Sequence, residues 1–321
     1  MSDLEARLET IRAAHRRIAP YIHRTPVMTS HRIDALCGAQ LVFKCENLQK
    51  VGAFKARGAF NAVLSLSEAE AARGVVTHSS GNHAAALALA ARIRGVPAYI
   101  VMPSNAPQPK KDAVAGYGAQ ITFCEPTLAA RETTAAEILE RTGASFIHPY
   151  DNDAIIAGQA TAAVELIEDA PGLDVILCPV GGGGLMAGTA LAAKGLNSGA
   201  QVIAAEPAGA DDAWRSFTTG VLTPQTGPRT IADGLLTSLG ERNFRIMMDH
   251  VDGVFTASEH MIVEAMRLIW QSMKLIVEPS AAVPLAALLE QRPALDAKRI
   301  GVILSGGNVD LDRLPWMRSS E

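Results

Sequence analysis

Seven short apolar runs punctuate this 321-residue chain: LVFKCE from Leu41, VVTHSS from Val75, AYIVMP from Ala98, ITFCEP from Ile121, VILCPV from Val175, VIAAEP from Val202 and IGVILSGG from Ile300. A turn rich in Gly, Pro, Ser or Asn follows each run. Segments such as HAAALALAARIRG and TTAAEILERTG lie between them, apolar at i, i+3 and i+4 as an amphipathic helix requires. A strand that is apolar throughout must be covered on both faces, and strands separated by helices pair in parallel. The fold class is therefore α/β, with mainly parallel twisted sheets flanked by helices. Ser2 and Asp3 can cap a first helix reaching about Arg17, with Ile11, Ala14 and Ile18 on one stripe. The length suggests two lobes. No polar linker divides them; the best boundaries fall near Leu66–Gly74 and Tyr150–Ala154. The expected division is a larger lobe of residues 1–71 and 152–321 and a smaller lobe of 72–151.

Composition removes several alternatives. At 48% hydrophobic and 19% charged residues the chain can bury a large core and is not disordered. A formal charge of -4 argues against nucleic acid as partner, because phosphate binding needs a basic surface. The N-terminus, MSDLEARLETIRAAHRR, is charged at helical spacing and does not read as a signal peptide. No stretch approaches the roughly 20 apolar residues of a membrane span. Cys37, Cys45, Cys124 and Cys178 stand far apart with no C-x-x-C pair, which fits free thiols in a reducing cytosol and not a zinc site. A cytoplasmic globular protein is expected.

In open α/β sheets, ligands sit beyond the carboxyl ends of strands, and four strand ends carry chemistry. In VILCPVGGGGLMAGTALAAKG a buried strand enters Gly181, Gly182, Gly183 and Gly184 and passes directly into a helix. Consecutive glycines let backbone N–H groups converge on an anion at the positive end of the helix dipole, which favours phosphate. The same segment satisfies G-x-G-x-x-A at Gly182, Gly184 and Ala187, with Glu206 ending the next strand, so a nicotinamide enzyme is a rival here. In SSGNHAAALALAARIRG, Ser79, Ser80, Gly81, Asn82 and His83 offer hydroxyls, an amide and backbone donors to a carboxylate; plain N-capping by Ser80 or Asn82 is the alternative. In NLQKVGAFKARGAFNAV, Lys55 follows Gly52 among Ala53, Phe54, Ala56 and Ala59, a setting that disfavours its charge and suits an amine nucleophile. In IGVILSGGNVDLDRL, Ser305 precedes Gly306, Gly307 and Asn308, which suits one hydrogen bond to a ring atom of a flat ligand.

Together and in this order, GAFKARG, SSGNHAAA, GGGGLMAG and SGGN resemble the fold-type II pyridoxal phosphate enzymes, whose fold is like that of tryptophan synthase β, and within them the serine/threonine dehydratase and serine racemase branch. The resemblance runs from about Arg24–Thr25–Pro26 to Ser305–Asn308. It implies pyridoxal 5'-phosphate as cofactor, Lys55 as its Schiff-base lysine and base, and the backbone of Gly181–Leu185 as the phosphate cup. It further implies that Phe54 flanks the ring, that Asn82 hydrogen-bonds the ring hydroxyl and that Ser305 faces the pyridine nitrogen. Ser79, Ser80, Asn82 and His83 would hold the substrate α-carboxylate, with Ser80 the proton donor on the opposite face. A neutral Ser305 protonates the pyridine less than a carboxylate would, favouring β-elimination over long-lived carbanions. The dinucleotide reading leaves the lysine and serine motifs idle.

The resemblance also implies a divalent cation, Mg²⁺ or else Ca²⁺ or Mn²⁺, at AAEPAGADD through Glu206, the Ala210 carbonyl and Asp212, all hard oxygen donors. Two solvated acids at a strand end are the plainer alternative. A homodimer is expected by resemblance. The chain after Asn308 leaves no room for the C-terminal regulatory domain of biosynthetic threonine dehydratases. For the substrate, Arg131 in LAARETTAAEI aligns with an arginine that can point toward the site and clasp a second carboxylate, and His148 in FIHPYDN can add a donor. An exposed Arg131 paired with Glu132 or Glu137 is the alternative. The expected activity is ammonia-lyase dehydration of 3-hydroxyaspartate. Serine racemisation or dehydration, threonine dehydration, or a silent cofactor-binding protein are the competitors.

Overall fold

The computed structural model describes residues 3–196, 199–291 and 298–317. Among these residues the strands are β1 (Val27–Met28), β2 (Gln40–Cys45), β3 (Val75–His78), β4 (Ala98–Pro103), β5 (Gln120–Cys124), β6 (Ser145–Phe146), β7 (Val175–Pro179), β8 (Gln201–Pro207), β9 (Gly253–Ala257) and β10 (Arg299–Leu304). The helices are α1 (Asp3–Ile18), α2 (His31–Cys37), α3 (Lys55–Ser65), α4 (Glu68–Ala72), α5 (Asn82–Arg94), α6 (Gln108–Gly116), α7 (Leu128–Thr142), α8 (Asp153–Asp169), α9 (Gly184–Leu196), α10 (Asp212–Thr219), α11 (Glu241–His250), α12 (Glu259–Met273) and α13 (Pro279–Gln291). All seven apolar runs are strands. Ser2, one of the expected caps of α1, lies outside the described residues; Leu8, Ile11, Ala14 and Ile18 form its buried stripe.

The strands build two sheets. A six-stranded sheet has the order β1-β2-β10-β7-β8-β9, parallel except for β1 against β2. A four-stranded, wholly parallel sheet has the order β5-β4-β3-β6. The continuous apolar runs are explained by alternation within the larger sheet. Val175 and Leu177 of β7 face α12 and α13, while Ile176 and Cys178 face α8 and α9. Each residue therefore enters one of two cores, and period-2 polarity never appears in the sequence. The smaller sheet is covered by α5 on one face and α7 on the other. Helix α3 packs in the same apolar cluster as α5, through Ala56, Ala59, Phe60 and Val63. Cys37, Cys45 and Cys178 are buried and Cys124 is half-buried, and no disulfide joins any two of them. No helix among the described residues is long and apolar enough to cross a membrane.

Candidate active site

Strand β10 runs between β2 and β7, so the chain segments leaving their carboxyl ends lie side by side. After β2, Ala53 bridges to Gly306, the Phe54 N–H donates to the Ser305 carbonyl at 3.0 Å and the Gly307 N–H donates to the Gly52 carbonyl at 2.9 Å. The turn that permits this puts Val51 at φ 57°, a costly backbone for a β-branched residue, beside Gly52 at φ 68°. A Cβ on Gly52 would stand 2.6 Å from Asn308 Oδ1. Lys55 is thereby fixed as the first residue of α3. Its Nζ donates to the Pro149 carbonyl at 2.8 Å and lies 5.2 Å from the Phe54 ring centroid. Burial pushes the amine down to about 8, with the negative charge of Glu278 opposing. Capture of pyridoxal phosphate by the stripped protein needs the neutral amine, so its rate is expected to rise about tenfold per unit below pH 8 and level off above it. A rise that continues to about pH 10 would mark an ordinary solvated lysine.

The glycine run after β7 is shaped by its neighbours. A Cβ on Gly182 would lie 2.2 Å from Cγ of the Tyr150 ring, and one on Gly183, at φ 90°, would lie 2.6 Å from Leu239. The Gly182 carbonyl is held by Asn243 Nδ2 at 2.7 Å and by the Gly240 N–H at 3.1 Å. With the carbonyl turned toward α11 and α9 beginning at Gly184, the N–H groups of Gly184, Leu185 and Met186 have no partners inside their own helix. This cradle of backbone donors at a helix end fits a phosphate group, and with a half-buried, deprotonatable lysine nearby the residues fit pyridoxal phosphate.

Helix α5 begins at Asn82 with Gly81 as N-cap and no side chain capping it, so the capping alternative for Ser80 and Asn82 is not realised. By contrast Asn152, Thr127 and Ser258 cap α8, α7 and α12. Ser79 Oγ accepts only a long bond from Gly81 N at 3.4 Å, and Ser80 is half-buried. The His83 ring is buried, with Nε2 3.3 Å from the Ile147 carbonyl and Nδ1 unpartnered. Burial first, then the charge of Lys55, holds it well below its usual range, so the ring is neutral.

Arg131 is half-buried on α7. Its Nε donates to the Thr127 carbonyl at 3.3 Å, and among the described residues it forms no ion pair with Glu132 or Glu137. It lies close enough that its charge acts on His78, Cys124 and Tyr150. His78, Phe146, His148 and Tyr150 form an aromatic cluster, the His148 and Tyr150 rings meeting edge-on at 4.5 Å. His148 Nδ1 accepts from the Asp151 N–H at 2.9 Å, so its proton resides on Nε2. Burial pushes this histidine down to about 4, leaving a neutral donor at physiological pH.

Glu206, Ala210 and Asp212 are all buried. The Glu206 carboxylate accepts the N–H groups of Ala213 (3.2 Å) and Trp214, and so caps α10. Asp212 accepts from Leu239 N at 2.8 Å and Gln225 Nε2 at 3.3 Å. Burial pushes Glu206 up to about 9, reinforced by the charges of Asp212 and Asp211, and pushes Asp212 up to about 6 against its backbone hydrogen bonds and the charge of Arg215. The alternative of two solvated acids is therefore not what is found. No group of three or more His, Cys, Asp or Glu side chains suited to a metal occurs among the described residues, so a cation here would need the Ala210 carbonyl and water besides the two acids. Neither acid forms an ion pair among the described residues, Arg215 being paired with Asp211, and two such buried carboxylates fit that donor set.

Sequence reasoning missed Tyr150, Asn243 and, above all, Glu278. The Glu278 carboxylate is 4% exposed and accepts from Asn82 Nδ2 at 3.1 and 3.2 Å and from Asn308 N at 3.1 Å. Its signal was a single acid in the apolar stretch LIVEPSAAVPLAALL, immediately before a helix-initiating proline.

The family described as pyridoxal-phosphate dependent enzyme matches residues 18–306. A beta-hydroxyaspartate dehydratase from Paracoccus denitrificans (strain Pd 1222) is 52% identical over 308 residues, covering 96% of this chain and 98% of that relative. The crystal structure of serine racemase from Dictyostelium discoideum superposes with a TM-score of 0.92 at 51% identity, covering 95% of this chain and 99% of that one. The processed form of threonine deaminase isoform 2 from Solanum lycopersicum gives a TM-score of 0.92 at 31% identity, with 97% of this chain and 86% of that one covered.

Proposed function

This chain belongs to the pyridoxal-phosphate dependent enzyme family, and on that premise we propose that it dehydrates 3-hydroxyaspartate, giving iminosuccinate and water and then, with water, oxaloacetate and ammonia. The observation that carries the choice of substrate is Arg131, a half-buried guanidinium without an ion-pair partner among the described residues, whose charge reaches His78 and Tyr150. A second carboxylate on the substrate would supply that partner, with His148 Nε2–H as an additional donor. The 52% identity to a beta-hydroxyaspartate dehydratase supports the same reading.

The chain's residues divide the work as follows. Lys55 holds the cofactor covalently and, once its amine is released, takes the substrate α-proton; its low pKa leaves a useful fraction neutral near pH 7. Gly181, Gly182, Gly183, Gly184 and Leu185 bind the phosphate, Phe54 flanks the ring, Asn82 donates to the ring oxygen and Ser305 faces the ring nitrogen. Bound there, pyridoxal phosphate supplies the electron sink that makes the α-proton acidic. The open N-terminus of α5 holds the α-carboxylate through Ser79, Ser80 and the backbone N–H groups of Asn82 and His83, since the Asn82 carboxamide is committed to the ring oxygen and Glu278 and the His83 ring is buried. Ser80 serves as proton donor across the substrate from Lys55.

Serine racemisation or dehydration is the second reading, favoured by the uncapped Ser80 end of α5 and by 51% identity to a serine racemase; threonine dehydration ranks behind it. Arg131→Gln separates them. Loss of a charge-assisted clasp is expected to lower kcat/KM for 3-hydroxyaspartate about 100-fold while serine turnover changes less than about threefold. Equal losses on both substrates would return Arg131 to a structural role.

A divalent cation, Mg²⁺ or in its place Ca²⁺ or Mn²⁺, is assigned to Glu206, the Ala210 carbonyl and Asp212, where it would tie the end of β8 to α10. Chelator-treated protein is expected to regain several degrees of Tm on adding Mg²⁺, with an apparent midpoint that depends on metal concentration; no response would remove the ion from the account. The reading extends to a cytoplasmic homodimer whose partner is a small amino acid, without nucleic acid or membrane. It places the larger cofactor-binding lobe at 1–71 and 152–321 and the smaller lobe at 72–151.

A further inference from the structure

We propose that Glu278 is a positioning residue of this site, which orients the Asn82 carboxamide so that one amide N–H is presented to the ring oxygen of the cofactor. This rests on the assignment of Asn82 to that oxygen. A glutamate this buried is uncommon without a basic partner, and Glu278 forms no ion pair among the described residues. Its oxygens instead accept from Asn82 Nδ2 (3.1 and 3.2 Å) and from the Asn308 backbone (3.1 Å). Asn82 Oδ1 in turn accepts from Asn308 Nδ2 at 2.9 Å, and that same nitrogen donates to the Val51 carbonyl at 2.7 Å.

Chemistry alone fixes the direction of this chain of bonds. The Val51 carbonyl can only accept, so Asn308 must turn its nitrogen to it; that same nitrogen meets Asn82, which must therefore present its oxygen there and turn its own nitrogen to Glu278. A flipped Asn82 would set oxygen against carboxylate and nitrogen against nitrogen. One Asn82 N–H is used by Glu278, and the other is left as a donor of defined direction. Room for the carboxylate is made by Gly306, where a Cβ would lie 2.7 Å from Glu278 Oε1, and the Glu278 N–H donates to the Gly306 carbonyl at 3.0 Å. Asn82 follows β3 of the smaller sheet, whereas Asn308 follows β10 of the larger one and Glu278, just before α13, is bonded to the same β10 end through Gly306, so the bond also seats the α5 end against the larger sheet.

The charged groups acting on Glu278 are Asp233, which with burial pushes it up to about 7, and Lys110, which opposes; Glu278 itself acts on Lys55 of α3. Ionised Glu278 favours a proton on the nitrogen of Lys55, so its removal should lower the pH at which that proton leaves.

The test is a double-mutant cycle on the holoenzyme with Glu278→Gln, Asn82→Ala and both together, reading pyridoxal phosphate dissociation and the pH midpoint of the visible cofactor band. Asn82→Ala and Glu278→Gln are each expected to weaken cofactor binding about tenfold, and the double variant to match Asn82→Ala alone, because Glu278 acts through Asn82. The band midpoint should fall by about one pH unit in Glu278→Gln and return toward wild type in Glu278→Asp, which keeps the charge. Glu278→Asp also carries the binding measurement should Glu278→Gln not fold. Losses that multiply to about 100-fold, or an unmoved midpoint, would overturn the proposal. If Asn82→Ala leaves binding unchanged, the assignment of Asn82 itself fails, and the proposal with it.

Discussion

Lys55→Ala is expected to cut turnover at least about 10⁴-fold and to erase the visible cofactor band while leaving the protein folded. Three features set this size. The amine is at the start of α3 because the preceding loop is clamped onto the end of β10 by Phe54, Gly52 and the Ala53–Gly306 bridge, so no other lysine is held in its place. Burial lowers it to about 8, which a surface lysine would not share. It is also assigned both the covalent attachment and the α-proton transfer, and losing a residue that does two jobs is not repaired by its neighbours. Its packing role is small: among the described residues the Nζ makes one bond, to the Pro149 carbonyl. A variant that folds, retains the band and turns over within about tenfold of wild type would remove Lys55 from the chemistry.

Arg57→Leu is expected to destabilise the fold by about 3–5 kcal/mol, seen as a lowered urea midpoint. Two residues beyond Lys55, the Arg57 guanidinium is fully buried and bonds both Glu46 oxygens (2.7 and 2.8 Å), both Glu165 oxygens (2.8 and 2.7 Å) and Thr161 Oγ1 (3.0 Å). Lys44 completes the cluster with 2.7 Å bonds to Glu165 and the Thr25 carbonyl. Two buried cations thus face two buried anions, and leucine would leave Glu165 with Lys44 and His15 and Glu46 with only the Thr25 hydroxyl among the described partners. The exposed Arg24, paired with Glu168 and Asp169, gives the contrast: Arg24→Leu should cost under about 1 kcal/mol. The pH dependence has a definite sign. Burial opposes the Glu165 charge, but bonds from His15 and Arg57 and the charges of Arg57 and Lys44 prevail and hold its carboxyl well below the usual carboxylate range. A folded-state pKa below the unfolded one stabilises fully above the unfolded value of about 4.3 and is lost as pH falls below it. The midpoints of wild type and Arg57→Leu should therefore converge in acid; a gap that stays constant would mean that packing, not charge, sets the loss.

How much of this was legible depends on whether a residue's neighbours are near it in sequence. The runs at Val75, Val175 and Ile300 read as strands because their apolar character is local, and the four strand-end motifs read as chemistry for the same reason. The strands that the sequence did not announce, β1, β6 and β9, are two to five residues long, and β1 and β9 lie at the edges of the larger sheet. LVFKCE gave a strand, yet nothing within it shows that Lys44 is met by Glu165, 121 residues away. Gly182 is required beneath the Tyr150 ring and Asn82 is oriented by Glu278, 196 residues on, and neither contact leaves a periodic trace. The open end of α5 and the absence, among the described residues, of an ion pair at Arg131 were questions of alternatives that only side-chain geometry could resolve.

Substrate preference tests the reaction of this site most directly. The cofactor-loaded protein, supplied with Mg²⁺, should be assayed for ammonia and 2-oxo acid release on the 3-hydroxyaspartate stereoisomers, L-threonine, L-serine and D-serine, compared by kcat/KM. A preference of about 100-fold or more for one 3-hydroxyaspartate is expected, with oxaloacetate and ammonia formed in equal amounts. Equal or faster release from serine or threonine, or inversion of serine without release, would contradict it.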